Sequence, residues 1–129
     1  MRDPISNLIT TIKNGSASRK ESVTVPATNF VEAVASALAR KGYVKPAAKK
    51  GKAIQKTLEI GLIYNDGKCR ITDVKRVSKP SKRLYKGYTE IFQVKQGYGS
   101  TFISTPKGVL SDDEARKEKV GGEVLFQIW

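Results

Sequence analysis

Asn29-Phe-Val-Glu-Ala-Val-Ala-Ser-Ala-Leu-Ala-Arg-Lys-Gly-Tyr-Val44 is the stretch on which the fold class turns. Val31, Val34, Ala35 and Leu38 recur at helical spacing and give one apolar helix face. Asn29 with Glu32 predicts the N-terminal cap of that helix, with Asn in place of the usual Ser or Thr. Arg40 and Lys41 suit the negative C-terminal end of the helix, and Gly42 suits the residue just past it. Tyr43 and Val44 then open a strand. A period of 3.6 that gives way at once to extended chain means helices and strands share one structure.

Outward from that stretch, both flanks keep this mixture. On the N-terminal side Asp3 and Pro4 predict a helix start, Asp as cap and Pro as first helical residue. Ile5, Leu8, Ile9 and Ile12 form its apolar face, and Asn14-Gly15 is its predicted end. Val23-Thr-Val-Pro26 reads as a short strand that Pro26 ends or holds at an edge. On the C-terminal side Lys45-Pro-Ala-Ala-Lys-Lys-Gly-Lys-Ala53 reads as a basic, mobile hairpin loop. Leu58, Ile60, Leu62 and Tyr64 alternate as a half-buried strand does. Asn65-Asp-Gly67 is a hairpin turn, with Cys69 and Ile71 continuing the alternation, so Cys69 is expected to be a buried, inert thiol. Further on, Thr89 is expected to cap a short helix ending before Gly97, and Thr101–Ile103 is strand-like. Ser111-Asp-Asp-Glu114 opens a helix reaching about Lys117, Gly121-Gly122 is a turn, and Glu123–Trp129 is a closing strand. Helices and strands that mix without regular alternation predict an α+β fold. Two small modules are expected, an N-terminal α-β-α-β-β module over 1–67 and a mostly antiparallel β module with short helices over 68–129. The boundary falls somewhere in 65–78.

Charge limits the function. The 129 residues carry 24 Lys and Arg against 12 Asp and Glu, a formal net charge of +12. The pI is about 9.9, on the side expected of nucleic-acid binders. The excess is not spread evenly: residues 40–86 hold fifteen basic and three acidic residues, while 1–39 balance at +1 and 87–129 at −1. A single lysine in this third reads as a solvated surface residue, but fifteen against three predicts a patch that follows phosphates. An anionic membrane is the competing partner. It calls for a basic helix with an apolar opposite face, whereas these runs sit in loops and strand ends broken by Gly and Pro. No segment approaches the ~20 apolar residues of a membrane span, and the N-terminus lacks the apolar core of a signal peptide.

The chain has no His, the commonest general acid–base and metal ligand. A single Cys excludes an internal disulfide framework and a Cys-cluster zinc site. Asp112, Asp113 and Glu114 resemble a metal cluster, but they sit at a helix start where acids are expected in any case. A Ser–Lys or two-carboxylate catalytic site is formally available and has no motif behind it. No catalytic residue, metal or cofactor is expected.

Asp3-Pro-Ile5 with Leu8 and Ile12-Lys-Asn14, Arg76-Val-Ser-Lys-Pro80 followed by Arg83-Leu-Tyr-Lys86, and Ser104-Thr-Pro-Lys-Gly-Val109 followed by Asp112, Glu114-Ala-Arg116 and Gly121-Gly-Glu-Val124 occur in this order along the whole chain. Together they resemble the small-subunit ribosomal protein eight family, of bacterial type. The resemblance implies a monomer within the ribosome, in the cytoplasm or the equivalent organelle compartment, without enzymatic activity. It implies binding to the central domain of small-subunit ribosomal RNA, across the minor groove of an irregular helix, beside neighbouring small-subunit proteins. Some family members also bind their own messenger RNA, so a translational repressor or RNA chaperone using the same surface is the alternative. The residues it marks for specific RNA contact are Ser104, Thr105, Lys107, Gly108, Tyr85, Gly121, Gly122 and Glu123. Arg76, Lys79, Lys82, Arg83 and Lys86 are the phosphate contacts, and Arg2, Asp3, Pro4, Thr28 and Asn29 complete the RNA-facing set.

The chain departs from the family at Pro106, where the family has a second serine, and at Asn7 and Lys13, where it has Asp and Arg. Pro106 removes one hydroxyl and one backbone N–H. Small hydroxyls on a tight loop suit a shallow minor groove lined with 2′-hydroxyls, Gly108 admits a close backbone, and Tyr85 offers a stacking surface. Each position also has a plainer reading: an ordinary loop at 104–108, a module-interface aromatic at Tyr85, a turn at Gly121-Gly122. For Glu123 the alternatives are to order a neighbouring Lys or Arg or to accept from an exocyclic amine.

Overall fold

A computed structural model describes residues 4–51, 56–78, 82–91 and 99–129, Pro4 in its backbone alone. The chain divides into two compact units, one reaching Ile71 and one starting at Thr72. Both mix helices with antiparallel sheet, the α+β class expected from the sequence.

In the first unit the elements are α1 (Pro4–Ala17), β1 (Ser22–Pro26), α2 (Asn29–Arg40), β2 (Ala48–Lys50), β3 (Thr57–Gly61), β4 (Tyr64–Asn65) and β5 (Lys68–Cys69). The apolar stripes read from the sequence are buried: Ile5, Leu8, Ile9 and Ile12 of α1, and Val31, Val34, Ala35 and Leu38 of α2. β1, β3 and β2 form an antiparallel sheet in that order, with Val25 opposite Leu58 and Val23 opposite Ile60.

Four expectations need correction here. Helix α1 does not stop at Asn14-Gly15 but continues to Ala17. Gly15 is buried inside it, where a Cβ would be driven into Cγ1 of Val23. The glycine permits close packing and is not a terminator. The cap of α2 is Thr28, one residue earlier than expected: its backbone is extended and its hydroxyl accepts from the Val31 N–H at 3.2 Å. Val44 opens no strand and makes only an isolated bridge to Leu62. Within the basic stretch expected to be a loop, Ala48–Lys50 pairs with β3 as a strand, although all three residues are exposed. Main-chain hydrogen bonds hold this edge strand, and its lysines guard the open edge.

Two turns behave as the sequence requires. Past α2, Gly42 has φ +81°, the Tyr43 N–H donates to Leu38 O at 3.0 Å and the Gly42 N–H to Ala39 O at 3.0 Å. This is the bond pair of a Schellman closure. Asp66 and Gly67 have φ +53° and +77° between the paired strands β4 and β5, a two-residue turn of type I′. The Tyr64 hydroxyl donates to Lys20 O at 2.5 Å, tying this hairpin to the segment after α1. Burial raises the Tyr64 pKa above its ordinary value, and the neighbouring Cys69 adds to the rise. Cys69 itself is half-buried, not buried, since its strand is two residues long and lies at the hairpin.

The second unit runs β6 (Val74–Arg76), β7 (Tyr85–Lys86), a 3-10 turn (Tyr88–Glu90), β8 (Ser100–Thr105), β9 (Gly108–Ser111), α3 (Asp112–Glu118) and β10 (Gly122–Ile128). β10 is the central strand: β8 pairs with one side, and β6 and β7 pair with successive parts of the other. Between Val124 and Phe126 the register shifts by a bulge, which sets Phe126 opposite Phe102 with ring centroids 5.4 Å apart. Ile91, Ile103 and Ala115 form a buried cluster against which Leu110 packs.

Helix α3 starts at the expected place, and its N-terminus is closed by a capping box. Ser111 Oγ accepts from the Glu114 N–H at 3.3 Å, and the Ser111 N–H donates to Glu114 Oε1 at 3.0 Å. Asp112 is buried: its Oδ1 accepts from the Thr101 N–H at 3.3 Å, and its Oδ2 pairs with Arg116 at 3.2 Å. Thr89 lies inside the 3-10 turn, which starts after Gly87, and is not a helix cap. From residue 92 onward the expected helix, which was to end before Gly97, lies outside the described residues. Gly121-Gly122 is not a free turn. Gly122 begins β10, and a Cβ there would strike the Ser104 carbonyl, while one on Gly121 would strike the Lys86 carbonyl and the Gly87 backbone.

Candidate nucleic-acid interface

The β8–β9 hairpin places the Ser104-Thr-Pro-Lys-Gly motif. Thr105 ends β8 and faces Gly108, the first residue of β9, with Pro106 and Lys107 between them. Pro suits the first corner of a type I turn, and glycine the bulge that follows it. Gly108 has φ +108° with nothing within 4 Å of a built Cβ, so its need for glycine is one of backbone conformation. Thr105 Oγ1 donates to Gly108 O at 2.7 Å and accepts from the Lys107 N–H at 3.1 Å. Pro106, Lys107 and Gly108 are exposed, and Lys107 Nζ reaches Glu118 Oε2 at 3.2 Å.

The sheet register joins this hairpin to the second motif. Tyr85 on β7 is opposite Glu123 on β10, and Glu123 is opposite Ser104 on β8. Residues directly opposite in antiparallel strands project from one face. Strands lie about 4.8 Å apart, so Tyr85, Glu123 and Ser104 make a row roughly 10 Å across. Tyr85 is 64% exposed, the highest value among the exposed large hydrophobic residues. Glu123 is held by Arg83, whose NH1 donates to Oε1 at 3.1 Å and to Oε2 at 3.3 Å. Of the two roles open to Glu123, the structure thus displays the ordering of an arginine.

Before β7, Ser78 and Leu84 are bonded to each other. Ser78, 2% exposed, accepts from the Leu84 N–H at 2.8 Å and donates to Leu84 O at 3.3 Å. The Arg76 Nε donates to Ser78 O at 2.6 Å. Burial lowers the Arg76 pKa, with Glu123 opposing the change and Arg83 adding to it. Arg76 is half-buried and built into this closure, whereas Lys82 and Arg83 are exposed and Lys86 is half-buried. Among the described residues Lys82 and Lys86 make no ion pair. Lys79 lies outside the described residues. Ser78 was legible only as one letter of a motif, because nothing in a run of basic residues marks one hydroxyl as a buried clasp.

Not every expected site residue belongs to the second unit. Thr28 and Asn29 belong to the first unit, where the Thr28 hydroxyl is engaged as a helix cap. Arg2 and Asp3, and the side chain of Pro4, lie outside the described residues. Asp112, Asp113 and Glu114 serve α3: Asp112 and Asp113 both pair with Arg116, whose NH1 also donates to Ile91 O at 3.2 Å. Among the described residues there is no group of three or more His, Cys, Asp or Glu placed to hold a metal ion. No described helix is long and apolar enough to cross a membrane.

A family model described as ribosomal protein S8 matches residues 3–129. The small ribosomal subunit protein uS8 of Erythrobacter litoralis is 43% identical over 129 residues, covering all of this chain and 98% of its own length. The protein of the same name from Zymomonas mobilis is likewise 43% identical over 129 residues. The one from Chloroflexus aurantiacus is 44% identical over 132 aligned positions, again with 100% and 98% coverage.

Proposed function

The chain belongs to the ribosomal protein S8 family, and from that premise we propose that it binds the central domain of small-subunit ribosomal RNA and acts in assembly of the small subunit, as a structural component and not as an enzyme. The observation that carries this reading is the row Tyr85–Glu123–Ser104 beside the 105–108 turn. Residues of three separate motifs, each 19 positions from the next in the sequence, meet there on one sheet face.

Each part of that face has a task that suits RNA. Tyr85 offers a flat surface on which an unpaired base stacks. The Ser104 hydroxyl is small enough to reach a shallow minor groove and exchange donor and acceptor roles with a 2′-hydroxyl. Lys82 and Lys86 neutralise phosphates and add affinity without sequence information. Gly121 and Gly122 let the strands close up so that Glu123 stands between Tyr85 and Ser104. Neighbouring small-subunit proteins complete its surroundings in the assembled particle.

The test is binding of the purified chain to a central-domain fragment of small-subunit ribosomal RNA and to a scrambled RNA of equal length, at one physiological salt concentration. Preference for the fragment by at least about a thousandfold is expected, the lower end of specific over non-specific binding. Equal affinity for the two RNAs overturns the proposal.

A further inference from the structure

The Thr105 hydroxyl has its one hydrogen and one of its two lone pairs engaged inside the hairpin. A hydroxyl has one hydrogen and two lone pairs. Thr105 gives its hydrogen to Gly108 O at 2.7 Å and one lone pair to the Lys107 N–H at 3.1 Å. The turn has few other donors, because Pro106 has no N–H and the Lys107 N–H is the one Thr105 has captured. One residue earlier the situation reverses: among the described residues the Ser104 hydroxyl has no hydrogen-bond partner, and Ser104 is half-buried in the row with Glu123.

We infer that the two adjacent hydroxyls divide the work: Ser104 is the hydroxyl presented to RNA, and Thr105 is a positioning residue that clamps the proline-containing turn and thereby fixes Ser104. This rests on the proposed RNA-binding role and refines it. The partner group of Ser104 is a single donor–acceptor site such as a 2′-hydroxyl or a base edge. Pro106 and the Thr105 clasp act together: the proline fixes φ at the first corner, and the threonine locks the second corner and the glycine after it.

The experiment uses the full chain, the central-domain RNA fragment and its scrambled counterpart, with S104A, T105S, T105V and S104A/T105V. The Lys107 amide exchange rate in the free protein is measured alongside binding. T105V keeps the shape and removes the hydroxyl, so Lys107 exchange should rise in T105V and stay unchanged in T105S and S104A. Cognate affinity should fall about tenfold in S104A and by a similar factor in T105V, as loss of a buried hydrogen bond predicts. T105S should bind within about threefold of the parent. In the S104A background, T105V should add at most about a further twofold loss, because Thr105 acts through Ser104. Multiplying losses would mean that Thr105 touches RNA itself and would overturn the inference, as would unchanged Lys107 exchange in T105V. A parent chain without preference for the fragment sinks the RNA assignment instead, while the exchange data still decide the clasp.

Discussion

At the scale of single residues, glycine is the amino acid whose meaning the sequence hides most. Gly108, Gly121 and Gly122 look alike as letters, yet they do different things. Gly108 is needed for its positive φ and has open space where a Cβ would point, whereas Gly122 is needed because the Ser104 carbonyl occupies that space. G108A should therefore cost about 1–2 kcal/mol, the strain of an L residue in that region. G122A must push two paired strands apart and should cost more than about 3 kcal/mol, at or beyond the upper end for overpacking. Urea unfolding of both variants checks the order, and a G122A variant as stable as G108A would contradict the close packing. The sequence suggested a turn at Gly121-Gly122 because a turn and a close strand approach select the same residue. Tyr85, Glu123 and Ser104 were each legible, whereas their alignment in one row was not, since strand register depends on partners distant in the chain.

At the scale of elements, legibility follows how local the determining interaction is. The helix start at Ser111 and the turn Asp66-Gly67 are fixed within four residues of chain, and both are legible in it, although the reciprocal bond from Glu114 was not read. Strands β2, β6 and β7 have two or three residues each and little apolar content, and they exist because β3 or β10 supplies their hydrogen bonds. No periodicity can announce such a strand. Helix α1 shows the same limit in reverse, since its continuation through Gly15 depends on Val23 across the packing interface. In an isolated helix, replacing this glycine by alanine would stabilise by about 1 kcal/mol. Here the added methyl meets Val23, so G15A should destabilise, by about 1–3 kcal/mol. V23A in the same chain should restore part of the loss although V23A alone is destabilising. Thermal unfolding of the two single variants and the double variant measures the coupling, and simple additivity would show that Gly15 and Val23 do not press on each other.

At the scale of the whole molecule, the net charge of +12 pointed to a polyanionic partner (nucleic acid, an anionic membrane or a heparin-like sugar) before any motif did. Charge alone does not locate the face. Arg83 and Lys107 spend part of their charge on Glu123 and Glu118, and Arg76 is half-buried, so Lys82 and Lys86 are the described members of the expected phosphate set that face no acid. K82A/K86A should weaken binding to central-domain and scrambled RNA by similar factors. It should also flatten the dependence of log affinity on log salt by up to about one unit per lost phosphate contact. Salt titrations on the two RNAs test this. A loss confined to the cognate RNA would place these lysines among the base-reading groups. Segregation of the excess into residues 40–86 was readable from composition. Which of those charges are already answered by an acid was not, since Glu32 and Glu123, the partners of Lys49 and Arg83, lie outside that stretch.

The position of β10 in the sheet has a consequence in time. Of the described strands this is the last to be synthesised, yet it is the one to which β6, β7 and β8 all attach. Chains emerge from the N-terminus and fold domain by domain as they do so. The first unit has all its strands once residue 71 has been made. Among its described strands the second can pair only β8 with β9 until Gly122–Ile128 arrives, and Tyr85, Glu123 and Ser104 come into line with that strand. Under the proposed function, a growing chain shows RNA its basic middle third well before the row assigned to RNA reading has been assembled.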